Sequence, residues 1–296
     1  MATVLITGIN SGMGFATARK LLQLGYTIIG TVRNQVNSQA NLDILAAVEN
    51  GKLTVYEMDL SSLTWVKDCA ERITKAYDQI DVLIFNAGIM TPPYSKTENG
   101  LETQFQVNYL SHFYLFSLLK NLLLNSKAKK VISISSLSSE KGTNGKVVDF
   151  ERDIHCNESD YDAMKCYRES KLAQVLFTAE LHNRFSSDGL KGYAVHPGVV
   201  NTNLFYRQYN AFIKALIQSV AWLGYVTGFL RTADKGAETA LYLATNSIPK
   251  SGLYWADKKV RKHNPIADDQ ELLKAFWDWS EKVVENSQKL PNPAST

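Results

Sequence analysis

The chain is poor in cysteine, with only Cys69, Cys156 and Cys166 among 296 residues. An odd count without a C-x-x-C spacing supports neither a disulfide framework nor a zinc site. Reduced thiols, and with them a cytoplasmic location, are the expectation. Histidine is sparse too: the five, at 112, 155, 182, 196 and 263, form no H-x-x-x-H pair, so no metal is expected. An excess of one charge is missing: the net charge is +3 and no Lys/Arg run stands out, which argues against a nucleic-acid partner. Long apolar runs are also absent. The uncharged stretch 215–230 falls short of the ~20 residues a membrane span needs, and Gln218, Ser219 and Gly224 interrupt it. No basic and apolar leader precedes the opening "MATVLITG", which reads at once as a strand.

What is present is an alternation of two periods. Apolar runs of strand length, "TVLIT" (3–7), "TIIGTV" (27–32), "LTVYEM" (53–58), "DVLIF" (81–85), "KKVISIS" (129–135), "GYAVH" (192–196) and "GLYWA" (252–256), are separated by segments of helical period. In the first of these, Ala16, Ala18, Leu21, Leu22 and Leu24 mark a buried face. Further helices are expected near 62–77, 99–125, after 160 and near 233–245. Strands separated by helices pair in parallel through right-handed crossovers, and continuously apolar strands fit a sheet covered on both faces. The expectation is one α/β domain over 1–296, doubly wound, with about seven parallel strands. Segment 139–160 is polar and charged and reads as a surface insertion. Segment 203–232 is apolar and aromatic, and the tail 288–296 reads as frayed.

"TGINSGMG" (7–14) joins the first strand to the first helix. Glycines at 8, 12 and 14 allow a sharp turn and close approach of the backbone to a bound group. The free N–H groups and the positive dipole end of the helix make this an anion seat suited to pyrophosphate. Downstream, "YDAMKCYRESK" (161–171) holds two Tyr–Lys pairs one helical turn apart, Tyr161/Lys165 and Tyr167/Lys171. Spacing does not choose between them. After Lys171, Leu172, Val175, Leu176 and Ala179 recur at i, i+3, i+4 and i+7, so Tyr167 and Lys171 open a regular helix.

The turn has the form G-x-x-x-G-x-G rather than G-x-G-x-x-G, and in this it resembles the short-chain dehydrogenase/reductase superfamily, a Rossmann-type fold. "MDL" (58–60), "FNAG" (85–88), Tyr167-x-x-Ser170-Lys171 and "HPGVVNT" (196–202) carry the same resemblance, which is nearest to the retinol-dehydrogenase-like branch. It implies an oxidoreductase in which Gly8, Asn10, Ser11, Gly12, Met13 and Gly14 cradle a nicotinamide cofactor. It further assigns Asp59, Leu60, Asn86, Ala87, Gly88, Pro197, Gly198, Val200 and Thr202 to cofactor binding. Tyr167 is implied as general acid/base, with Lys171 beside it to lower the phenol pKa and hold the cofactor. Ser136, with Ser135 as runner-up, is implied to hold the substrate oxygen, and Asn108 to position a water that relays protons to Lys171. Phe85 and Ser111 depart from the family pattern, which has Asn and Gly there. Val32 stands where an acidic residue would bind the ribose of NAD, and Arg33 follows it, so NADP(H) is favoured over NAD(H).

In the family, the segment after P-G-x-x-x-T closes over the substrate. Here it carries Phe205, Tyr206, Tyr209, Phe212 and Trp222, which predicts a small apolar substrate such as a retinoid, steroid, quinone or lipid aldehyde, and leaves shallow membrane contact open. A light-dependent protochlorophyllide-reductase-like enzyme and a non-catalytic NADP-binding scaffold or redox sensor are the alternatives. The helices at 99–125 and 164–186 are where family members form homodimers.

Overall fold

A computed structural model describes residues 1–140, 150, 154–200 and 230–287. The strands are β1 (Thr3–Thr7), β2 (Thr27–Val32), β3 (Lys52–Glu57), β4 (Val82–Phe85), β5 (Lys130–Ile134) and β6 (Lys191–Val195). After these come β7 (Val199–Val200), β8 (Leu230–Arg231), β9 (Leu253–Ala256) and β10 (Lys259–Val260). Eight form one sheet in the order β10-β9-β6-β5-β4-β1-β2-β3. Seven run parallel, as expected, and β10 adds a short antiparallel edge that the apolar runs did not foretell. β7 and β8 make a separate two-stranded pair.

The helices are α1 (Gly12–Gln23), α2 (Gln39–Ala46), α3 (Leu63–Ala76), α4 (Ser111–Leu124), α5 (Ala163–Phe185), α6 (Ala233–Thr245) and α7 (Gln270–Ser287). Alternation along β1 shows why its strand is apolar throughout. Val4 and Ile6 enter a core shared with α1, α2 and α6, while Leu5 enters the opposite core with α3, α4, α5 and α7. The chain order reverses between β1 and β4, and the crevice at their carboxyl ends is where an α/β sheet binds its ligand.

The C-terminal helix α7 extends the second core. Trp277 packs edge-on against Phe113 and Phe116 of α4 and stacks on Phe177 of α5 at 5.6 Å. The Tyr109 hydroxyl meets Ser280 Oγ at 2.8 Å. On the other side, the buried Lys130 ammonium donates to the carbonyls of Leu243, Ala244 and Asn246, closing the end of α6.

Several expectations change. Leu24 is exposed because α1 ends at Gln23 and Leu24 caps it. The expected helix 99–125 begins with a turn at Thr103–Phe105, widens into a π-helix at Gln106–Leu110 and becomes regular only at Ser111. The insertion 139–160 is not all surface: Phe150, Ile154 and Cys156 are buried, and Phe150 lies against Phe105 and Phe276. Its charged residues hid an apolar anchor. The tail 288–296 lies outside the described residues, as does segment 201–229, which contains Thr202 and the cap residues Phe205, Tyr206, Tyr209, Phe212 and Trp222. Of the cap, residues 230–232 are described: Leu230 and Arg231 form β8, and Thr232 caps α6. Among the described residues, no helix is long and apolar enough to cross a membrane. Nor, among them, do three or more His, Cys, Asp or Glu side chains converge to hold a metal.

Candidate active site

A cleft of about 480 Å³ lies at the carboxyl ends of the parallel strands. Its walls bring together Gly8, Asn10, Ser11, Gly12 and Met13 from the first turn, Arg33 from the end of β2, and Asp59 and Leu60 after β3. Asn86, Ala87 and Gly88 follow β4, Ser136 follows β5, Tyr167 and Lys171 come from α5, and Pro197, Gly198 and Val200 follow β6.

The first turn is built for a close ligand. Gly8 and Gly12 have φ of 73° and 57°, the left-handed region that glycine alone adopts freely. A Cβ on Gly14 would stand 2.1 Å from the Gly8 carbonyl oxygen and 2.4 Å from Asn86 Nδ2. Asn86 Nδ2 donates to the carbonyls of Thr7 (2.9 Å) and Gly8 (3.2 Å), so Asn86 holds the turn from the neighbouring strand. At the start of α1, the Ser11 side chain accepts no capping bond and no acidic residue lies in the first turn. The free N–H groups therefore face the cleft as an anion seat. These residues fit the pyrophosphate of a dinucleotide. At the end of β2, Val32 is buried and Arg33 is exposed; Asp59 accepts from the backbone and hydroxyl of Ser61.

Phe85 turns away from the cleft and stacks on His112 at 4.8 Å, so the departure from Asn costs the cleft nothing. Ser111 has a use where the family has glycine: its hydroxyl donates to the Leu60 carbonyl at 2.6 Å, tying α4 to the segment after β3.

The two Tyr–Lys pairs separate completely. Asp162 caps α5, accepting from Met164 N and Lys165 N at 2.9 Å, so Tyr161 lies before the helix. The Tyr161 hydroxyl donates to the Pro92 carbonyl at 2.9 Å, and Lys165 pairs with Glu169. Tyr167 and Lys171 are buried on the cleft side of α5, with Nζ 5.9 Å from the Tyr167 ring centroid.

The serines separate as well. Ser135 is buried and donates to the Lys171 carbonyl at 2.7 Å, and Ser139 donates to the Ser136 carbonyl. Ser136 is half-buried in the cleft wall, and its hydroxyl lies close enough to the Tyr167 phenol to favour the phenolate.

Electrostatics at the pair departs from expectation. Burial raises the Tyr167 pKa, and the nearby Ser136 hydroxyl offsets this only in part. Burial also lowers the Lys171 ammonium to about 7. Desolvation of both groups thus outweighs the cation's pull on the phenol.

Asn108 lies in the π-helical stretch. Its side chain pairs twice with the Ile89 backbone and donates to Ser170 Oγ at 2.9 Å. Its backbone carbonyl accepts from Gln174 Nε2 at 2.8 Å and meets His112 Nδ1 at 3.1 Å. The family resemblance implies a water positioned by Asn108; here two side-chain donors occupy its carbonyl. Gln174 and His112 were missed, although Gln174 follows Tyr167 by seven residues and Lys171 by three, which puts it on the same face of α5.

Comparison with known proteins shows the family. Residues 2–148 match the family model described as short chain dehydrogenase. The chain is 37% identical to human retinol dehydrogenase 14 over 95% of its length and 86% of that protein's. It is 33% identical to mouse retinol dehydrogenase 13, over 95% and 83%. Among solved structures, an uncharacterised protein of Mycobacterium paratuberculosis superposes with a TM-score of 0.73 at 30% identity, covering 96% of this chain and 94% of the other.

Proposed function

Because the chain belongs to the short-chain dehydrogenase family, in its retinol-dehydrogenase-like branch of oxidoreductases, we propose that it moves hydride between NADP(H) and an apolar carbonyl or alcohol. Retinoids, steroids, quinones and lipid aldehydes are the substrate class. The observation that carries this reading is the convergence of Ser136, Tyr167 and Lys171 in the cleft that the glycine turn also lines.

The nicotinamide supplies or accepts the hydride. In reduction, the Tyr167 hydroxyl protonates the carbonyl oxygen as its carbon gains hydride, and the product is the alcohol. A phenol whose pKa is raised by burial is fully protonated at neutral pH, which suits a proton donor. Ser136 places a hydroxyl beside the same oxygen to stabilise the developing charge. The Lys171 ammonium, held at the Ile134 carbonyl at 2.8 Å, puts a positive charge behind the phenol as it gives up its proton. Arg33, exposed at the end of β2 next to the apolar Val32, favours a 2′-phosphate over a bare ribose hydroxyl. The aromatic side chains of 203–232 point to an apolar substrate.

The test is NADPH consumption, followed by absorbance, with a panel of apolar aldehydes, ketones and quinones. Turnover with aldehydes of retinoid or lipid type, and slower turnover with small polar carbonyls, is expected. NADPH binding without turnover of any member of the panel would count against the reading.

A further inference from the structure

Behind Lys171 lies a chain of buried polar side chains that the reaction above does not use. Lys171 Nζ donates to Gln174 Oε1 at 3.3 Å, and Gln174 Nε2 donates to the Asn108 carbonyl at 2.8 Å. The same carbonyl meets His112 Nδ1 at 3.1 Å, and His112 Nε2 meets Thr7 Oγ1 at 3.0 Å. Thr7 Oγ1 already accepts from the backbone N–H groups of Asn86 and Ala87, each at 3.0 Å. Its own proton therefore goes to His112 Nε2, which must be the bare nitrogen, leaving Nδ1 as a donor to Asn108. His112 is neutral in this arrangement, its pKa pushed down to about 4 by burial. Every direction in the chain is thereby fixed.

Two consequences follow. The Asn108 carbonyl accepts from two side-chain donors, Gln174 and His112. And Gln174, 2% exposed among Leu172, Val175 and Leu176, stands between that carbonyl and the ammonium. A buried amide is costly unless its polar atoms are paired, and here both ends are.

We propose that Gln174 is a positioning residue, its amide bridging Lys171 Nζ to the Asn108 carbonyl and so holding the ammonium in place behind Tyr167. This rests on the catalytic reading of Tyr167 and Lys171 given above. Beyond Gln174, the ammonium has one other acceptor among the described residues, the Ile134 carbonyl on β5. The titratable groups that face it are Tyr167 on α5 and His112 on α4; β5 presents Ile134 and Ser135, and the β4 turn presents Gly88. No carboxylate partners it among the described residues. Removal of the Gln174 oxygen should therefore disfavour the charged form, and a carboxylate in its place should favour it.

The experiment compares the full chain with Gln174→Leu and Gln174→Glu, in two readouts. One is the titration of Lys171 Nζ by NMR of ¹⁵N-lysine-labelled protein, which needs no turnover. The other is the pH profile of NADPH-dependent reduction. In Gln174→Leu, Lys171 should titrate at lower pH and kcat at pH 7 should fall by about five- to tenfold. A pKa lower by about one leaves roughly that much less of the ammonium at neutral pH. In Gln174→Glu, Lys171 should titrate at higher pH, and the alkaline limb of the reduction profile should move up with it. Gln174→Glu keeps volume and acceptor, so it carries the test if Gln174→Leu does not fold. An unchanged Lys171 titration in the folded variants, with only melting temperature lowered, would overturn the proposal. Shifted titrations in a protein that reduces nothing would uphold the bridge and remove the catalytic reading instead.

Discussion

Tyr161 and Tyr167 carry the same spacing to a lysine, and nothing in that spacing separates them. Their fates part at Asp162, which caps α5 and leaves Tyr161 outside the helix, its hydroxyl bound to the Pro92 carbonyl. An Asp just before a periodic segment is a helix-start signal legible in the sequence. The partners of Gln174 were not legible, because Asn108 lies 66 residues away and meets it only where the π-helical stretch packs against α5. The serines were half legible: the family pattern pointed to Ser136, while only the fold shows Ser135 committed to the Lys171 carbonyl. Arg33 carries a prediction at this scale. A charge-assisted bond to a phosphate is worth roughly 1.5–3 kcal/mol. Arg33→Ala should therefore weaken NADPH use by about 10- to 100-fold while leaving NADH use nearly unchanged, as measured by kcat/KM with each cofactor. Equal losses for both would remove Arg33 from cofactor choice.

Among the elements, the regular ones were readable and the irregular ones were not. α6 falls at 233–245 as the periodicity predicts, since its apolar stripe is unbroken. The helix expected over 99–125 hides a π-helical stretch, because a single widened turn shifts the helical repeat too little to show in the sequence. That stretch carries Asn108, so the irregularity coincides with the site. The glycine turn was legible down to single residues, because backbone that approaches backbone so closely excludes any side chain. Gly14→Ala should abolish or severely weaken cofactor binding, measured by NADPH fluorescence titration, because its methyl would meet the Gly8 carbonyl oxygen and Asn86 Nδ2. Unimpaired NADPH binding in a folded Gly14→Ala variant would show that the turn has freedom the structure does not indicate.

At the scale of the molecule, the parallel sheet was readable from alternating periods, but the placing of α7 was not. Trp277 lies against Phe113, Phe116 and Phe177 of α4 and α5, and Arg184 of α5 bonds Asp278 at 2.7 Å. Those two helices are the ones through which family members were expected to dimerise. Here a helix of the same chain lies across them, and its aromatic side chains fill the hollow between them. The protein should therefore run as a monomer of 33.1 kDa in light scattering at micromolar concentration. A stable dimer would mean that another surface, or a displaced α7, does the pairing.

The central claim is that Tyr167, and not Tyr161, exchanges the proton with an apolar carbonyl. The most direct measurement is NADPH-dependent reduction by the unaltered protein, Tyr167→Phe and Tyr161→Phe, with NADPH binding measured on each. Loss of a general acid costs typically 10²–10⁴-fold, so Tyr167→Phe should fall by about that factor in kcat while still binding NADPH. Tyr161→Phe should keep most of its turnover, losing only a hydrogen bond to the Pro92 carbonyl. Full activity in Tyr167→Phe, or loss confined to Tyr161→Phe, would contradict the account.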